Sequence, residues 1–220
     1  MKRALIIGDT GGIGAALSKE LRSQDVSVTG LSRGRDGFDF ADPEGVDALL
    51  GNLSGPFDMI LVATGALTST RQTPEKSLRE LSAAELAQQF TLNTIGPALV
   101  MRHAARLMPR DRRAVFAALS ARVGSIGDNR LGGWYSYRAS KAALNQLVHS
   151  VAIELSRSHK QSICVALHPG TVATRFTAAF EAPNKLLPSE SAACLLSVLQ
   201  RLDVKETGGF FAWDGTPIEW

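Results

Sequence analysis

The chain has 220 residues, 45% of them hydrophobic, enough for a sizeable core. Its 24 basic and 21 acidic residues leave a formal charge of +3, and no basic block with interleaved aromatics argues for nucleic acid. No apolar run approaches the ~20 residues of a membrane helix, the histidines show no ligand spacing for a metal, and apolar strand sequence starting at Ala4 leaves no room for a signal peptide; a cytoplasmic protein without membrane contact is expected.

Residues 4–7 form a short apolar run, the pattern of a strand buried on both faces. The run leads into Gly8-Asp9-Thr10-Gly11-Gly12-Ile13-Gly14 and an amphipathic stretch over 15–22. Glycines in a strand–turn–helix setting permit positive φ and close approach of backbone to a ligand. The helix N-terminus adds unpaired N–H groups and a positive dipole end for a pyrophosphate. Gly8, Thr10, Gly11, Gly12, Ile13 and Gly14 are therefore expected to bind a nucleotide. Residues 26–31 read as the second strand, with Ser32 and Arg33 after it. An acidic residue there would accept from a ribose 2′-OH. A hydroxyl and a guanidinium stand there instead, with Arg35 close by, and a guanidinium suits phosphate geometry. NADP(H) is expected in preference to NAD(H).

Residues 38–42 look like a short strand before Pro43, and a helix fits 43–52. Residues 57–63 read as a central strand ending at Ala63, and Gly65 beyond it permits close backbone approach. Residues 67–81 form a loop beside the substrate. Ser82-Ala83-Ala84-Glu85 has the form of a capping box and opens a long helix through Met108. Asn93, followed by Gly96-Pro97, is locally unfavourable there and predicts a deliberate irregularity. Residues 113–119 are the next strand, 126–133 a polar loop and 137–158 a long helix.

Tyr137 and Lys141 lie four apart, on one helical face. The ammonium would favour the phenolate, lowering the phenol from about 10 and making it a usable proton donor or acceptor. Residues 163–167 are another buried strand, followed by His168-Pro169-Gly170-Thr171-Val172-Ala173-Thr174, with His168 read as a strand-end residue. Residues 176–188, with two Phe, Glu181 and Lys185, shape substrate access. A final helix runs over 189–202, a last strand over 208–213, and Asp214-Gly215 makes a tight turn. Cys164 and Cys194 lie in apolar surroundings and read as buried free thiols. Strict alternation predicts an α/β fold over 1–220: one Rossmann-type doubly wound parallel sheet, helices on both faces, ligand at the carboxyl ends of the strands.

The Gly8-x-x-x-Gly12-x-Gly14 spacing, with Tyr137-x-x-x-Lys141 and Pro169-Gly170, resembles the short-chain dehydrogenase/reductase family across essentially the whole chain. Residues 120–126, Gly132-Gly133-Trp134-Tyr135 and the Phe-Phe-x-Trp-Asp-Gly tail resemble its small C-factor (C-signal) subgroup. The resemblance implies hydride transfer between NADP(H) and a small carbonyl or alcohol, with Tyr137 as proton donor and Lys141 on the nicotinamide ribose. It implies Asp39 near the adenine, and Pro169, Gly170, Val172 and Thr174 against the nicotinamide. Asn93 would hold its helix open for a relay water. Homodimers or homotetramers through the helices of Asn93 and Tyr137 are also implied. Three departures stand out: Ile7 replaces the usual Thr, Val62-Ala63-Thr64-Gly65 keeps only the glycine of Asn-Asn-Ala-Gly, and Ala121 occupies the catalytic serine's place. Ser120 or Ser125 could supply that hydroxyl, with Ser120 preferred and brought into place by a local bulge, since adjacent strand residues point opposite ways; the alternative is that both are structural.

Overall fold

The computed structural model describes residues 1–178 and 183–220. Among them six strands form one parallel sheet: β1 (Arg3–Ile7), β2 (Ser27–Leu31), β3 (Met59–Val62), β4 (Ala114–Leu119), β5 (Ser162–His168) and β6 (Phe210–Ala212), in the order β2-β1-β3-β4-β5-β6. The reversal between β2-β1 and β3-β4 places a crevice at the carboxyl ends of β1 and β3.

Both faces of the central strands are buried, which is why they read as unbroken apolar runs. Leu5, Ile7, Ile60, Val62, Phe116, Ala118, Cys164 and Ala166 face one core with α3 (Pro43–Gly51), α5 (Gly96–Arg102) and α7 (Tyr135–Ser158). Ala4, Ile6, Leu61, Val115, Ala117 and Val165 face the other with α1 (Gly12–Ser23) and α8 (Pro188–Arg201). Phe116 is fully buried at the centre, and emptying it would cost about 3–5 kcal/mol.

The structure departs from the expected elements in three places. Residues 38–42 are not a strand: β2 is followed by a single helical turn, α2 (Arg33–Asp36), and Phe38 and Phe40 reach the core from an irregular segment. The expected long helix over 82–108 is α4 (Ala83–Phe90), a wide π-turn (Thr91–Ile95), α5, and a short α6 (Ala104–Leu107) after a break at His103. The capping box is half made. Ser82 Oγ accepts from Glu85 N at 3.2 Å, but the Glu85 carboxylate reaches Ser69 and Thr70 instead of returning to Ser82. Both cysteines are free, Cys164 buried and Cys194 half-buried. Phe180 and Glu181 of the substrate-side segment lie outside the described residues.

Candidate active site

The turn after β1 is tight enough to demand its glycines. Gly8 has φ +87°, and a Cβ on Gly14 would stand 2.1 Å from the Gly8 carbonyl oxygen. No side chain caps the N-terminus of α1, so its first-turn N–H groups face the crevice. Thr10, Gly11, Gly12, Ile13, Ala63, Thr64 and Gly65 line one end of a cleft of about 750 Å³.

Beyond β2 the charges are partly spent. Arg35 binds Asp9 through two bonds of 2.9 and 3.1 Å, donates to Gly30 O and pairs with Asp36. Ser32 donates through its N–H and its hydroxyl to Asp36 at 2.8 and 3.2 Å. Arg33 is exposed, and its side chain has no hydrogen-bond or ion-pair partner among the described residues. The Asp39 carboxylate accepts from Ala41 N at 3.0 Å. Ser32, Arg33 and Asp39 lie outside the cleft lining, at the edge of the sheet.

The other end of the cleft holds Tyr137 and Lys141 in the first turns of α7, with Ser120, Ala121, Pro169, Gly170, Val172 and Thr174 around them. Tyr137 packs against Trp134 and Phe176, ring centroids 6.3 and 5.9 Å away. Trp134 holds a left-handed backbone, φ +51°, its N–H bonded to Glu75 O at 2.6 Å. Lys141 Nζ donates to Leu119 O at 2.8 Å and lies 5.9 Å from the Tyr137 ring centroid. The expected depression of the phenol is not found. Burial raises Tyr137 above its ordinary value and pushes the Lys141 ammonium down to about 7, because both side chains are almost wholly removed from water.

Ser120 lines the cleft and Ser125 does not, and both hydroxyls are already engaged within the protein. Ser120 Oγ donates to Asn145 Oδ1 on α7 at 2.6 Å, while Ser125 Oγ accepts from Asp128 N at 3.0 Å and is not part of the cleft wall. Ala121 is the residue exposed to the cleft at the usual serine place. His168 also lines the cleft. Burial, with a contribution from Arg122, pushes its imidazole down to about 4, and Nδ1 is buried without a partner among the described residues.

Behind Gly65, Asn93 lies wholly buried in the π-turn. It pairs with Ala66 in both directions: Ala66 N donates to Oδ1 and Nδ2 donates to Ala66 O, each at 2.9 Å. A Cβ on Gly65 would stand 3.1 Å from Asn93 Oδ1 and 3.3 Å from Lys141 Nζ, so the two groups converge on the glycine. Two buried acids near this region have partners that the sequence does not suggest. Glu75 takes the Ser136 hydroxyl and, at 3.4 Å, the Ser136 N–H, tying residue 75 to the start of α7. Glu85 anchors Ser69 and Thr70. The spacing Glu85-Gln89-Asn93 could have revealed the second; no local pattern marks the first.

A family model described as enoyl-(acyl carrier protein) reductase matches residues 36–217. The chain is 31% identical over 240 aligned residues to 1-hydroxy-2-glutathionyl-2-methyl-3-butene dehydrogenase of Rhodococcus sp. (strain AD45), covering 100% of both. It is 34% identical over 148 residues to the C-signal protein of Myxococcus xanthus, covering 66% of this chain and 84% of that one. Among solved structures, NADPH-bound carbonyl reductase from chicken fatty liver superposes with TM-score 0.82 at 23% identity over 100% of this chain and 99% of that one. A carbonyl reductase from Pseudomonas aeruginosa PAO1 gives TM-score 0.79 at 26% identity over 100% of both.

Proposed function

The chain belongs to the short-chain dehydrogenase/reductase family of oxidoreductases, and from that premise we propose that it interconverts a carbonyl and an alcohol with NADP(H). The observation that carries the reading is the meeting of Tyr137, Lys141 and the glycine turn around one cleft. The residues fit a dinucleotide. The turn at Gly8 and Gly14 has no room for side chains, an uncapped helix end faces the crevice, and Thr64 Oγ1 is a buried hydroxyl with no partner among the described residues.

When bound, the nicotinamide supplies the hydride to the carbonyl carbon. Tyr137 gives its phenolic proton to the carbonyl oxygen; burial keeps the phenol neutral, so it stands ready as a donor. Lys141, fixed on Leu119 O beside Gly65, holds the nicotinamide ribose and, near its midpoint at about 7, exchanges protons with the phenol. Asn93 fixes the backbone at Ala66 that shapes this floor. Pro169, Gly170, Val172 and Thr174 wall the nicotinamide, and Asp39 serves the adenine side. Arg33, with no carboxylate on it, takes the ribose 2′-phosphate.

The test is purified protein with NADPH or NADH and a panel of aldehydes, ketones and quinones. Turnover with NADPH favoured over NADH supports the reading; no turnover with either sinks it. Arg33→Ala should cut the NADPH/NADH ratio of kcat/KM about tenfold, and an unchanged ratio would remove Arg33 from the cofactor site.

A second reading, a signalling or regulatory protein that binds the cofactor with little turnover, is favoured by one observation. Ala121 offers no hydroxyl, and Ser120 spends its own on Asn145. Tight NADPH binding without turnover on the whole panel selects it. No helix among the described residues is long and apolar enough to cross a membrane. A cytoplasmic homo-oligomer packed through α4 and α7 completes the proposal, and its mass in light scattering checks the assembly.

A further inference from the structure

Five donors converge on the two oxygens of Glu85. Oε1 accepts from Ser69 N at 2.9 Å and from Gln89 Nε2 at 3.0 Å. Oε2 accepts from Ser69 Oγ at 3.0 Å and from Thr70 N and Thr70 Oγ1, both at 2.6 Å. Glu85 is 1% exposed. Burial alone would push it up, yet the bonds from Thr70, Ser69 and Gln89 hold it below its ordinary value. An ionised carboxylate only accepts. Gln89 must therefore turn its NH₂ toward Glu85 and its carbonyl toward Asn93.

That carbonyl accepts from Asn93 Nδ2 at 2.5 Å. Asn93 Nδ2 also faces Ala66 O and, at 3.1 Å, Ser140 Oγ, and Ser140 Oγ donates to the carbonyl of Tyr137 at 2.8 Å. Gln89, Asn93 and Ser140 are each fully buried, so no solvent offers an alternative partner. Nδ2 has two hydrogens for three acceptors, so Ala66 O and Ser140 Oγ share one, and through that shared hydrogen the chain of bonds runs from the loop at Ser69 and Thr70 to the backbone of Tyr137.

We propose that Glu85, acting through Gln89, is a positioning residue that fixes the polarity of the Asn93 amide and thereby couples the 69–70 loop to the Tyr137 helix turn. The proposal rests on the reductase reading for its effect on turnover, and on geometry alone for the orientation of Asn93. A carboxylate at one end and the Ala66 peptide at the other impose the same polarity. Glu85→Gln puts an NH₂ among donors and breaks that agreement. Gln89→Met cuts the chain while leaving Glu85 on its loop. In Glu85→Gln with Gln89→Glu, the carboxylate moves one helical turn, accepts from both neighbours and restores the polarity at Asn93.

The readout is hydrogen exchange of the Asn93 side-chain amide by NMR, with steady-state kinetics beside it. Both single variants should speed exchange about tenfold, and the double variant should return it to within about twofold of wild type. In an active protein, kcat should follow the same order, falling about tenfold in the single variants with cofactor KM within about twofold. Unchanged Asn93 exchange in Gln89→Met overturns the proposal, leaving Glu85 as a loop anchor. Faster exchange with unchanged kcat overturns the positioning role. A wild type without turnover overturns the reductase reading instead, and the exchange measurement still decides the polarity of the chain.

Discussion

On the Asn93 flank of Tyr137, each polar side chain from Glu85 to Ser140 has a partner and points where its neighbours require. On the Ser120 flank, the hydroxyl turns to Asn145, Ala121 offers a methyl to the cleft, and His168 Nδ1 has no partner among the described residues. The first flank is preorganised before any ligand arrives. The second provides no preset hydroxyl, so in the proposed reaction proton donation and polarisation would both fall on the Tyr137 phenol. Electrostatic preorganisation usually supplies a large part of rate acceleration, and in the proposed reaction it would be concentrated on one side of the reacting atom.

The largest expected effect follows from that asymmetry. Tyr137→Phe should lower kcat by about 10²–10⁴-fold while cofactor binding, followed by NADPH fluorescence, stays within about twofold of wild type. The ring remains, so its packing on Trp134 and Phe176 remains with it. A variant that keeps wild-type turnover would move the proton donor to the Ser120 flank, with His168 the first candidate, and reverse the comparison.

A smaller effect tests the weak flank itself. Ala121→Ser puts a hydroxyl on the cleft wall and should raise kcat about tenfold, less than the ~10²–10³ that a fully preorganised donor is worth. Ser120→Ala should change kcat by less than about twofold, since its hydroxyl already serves Asn145, but should cost about 1–3 kcal/mol in urea unfolding by leaving a buried acceptor unpaired. If Ser120→Ala instead abolishes turnover, Ser120 leaves Asn145 during reaction and the two flanks are more alike than their resting geometry.

What was legible in the sequence divides along the same physical line. The central strands announce themselves because burial on both faces demands continuous apolar residues, as at Leu5, Ile6 and Ile7. The helix interruption at Asn93 was legible because Gly96-Pro97 disfavours a regular ladder. Residues 38–42 misled because Phe38 and Phe40 alternate like strand residues, while their rings reach the core without joining a ladder. Glu85 reads as a cap because Ser82 stands three residues before it; its partners, Ser69 and Thr70, are brought near only by the fold. Spacing placed Tyr137 and Lys141 on one face but could not give their proton affinities. Those are set by how completely each is withdrawn from water.

That withdrawal from water yields the last test, read in stability and not in turnover. Below pH 7 the Lys141 ammonium exists in both folded and unfolded chains, and the fold bears the full cost of burying it. Above 10.5, its ordinary value, neither state carries the charge. Between the two, unfolding takes up a proton, so stability climbs with pH, by about 1.4 kcal/mol per unit at most. Two groups act the other way at higher pH: burial pushes the Cys164 thiol up to about 12 and raises the Tyr137 phenol, so the unfolded chain ionises first at both. Lys141→Met removes the lysine term and keeps the other two. The difference in unfolding free energy between wild type and Lys141→Met should therefore shift in favour of wild type from pH 7 to pH 10, measured by urea titration at each pH. A constant difference would mean that Lys141 keeps its proton in the folded protein, as a permanent cation beside the phenol, and the Tyr137 donor would then work with a charged partner throughout.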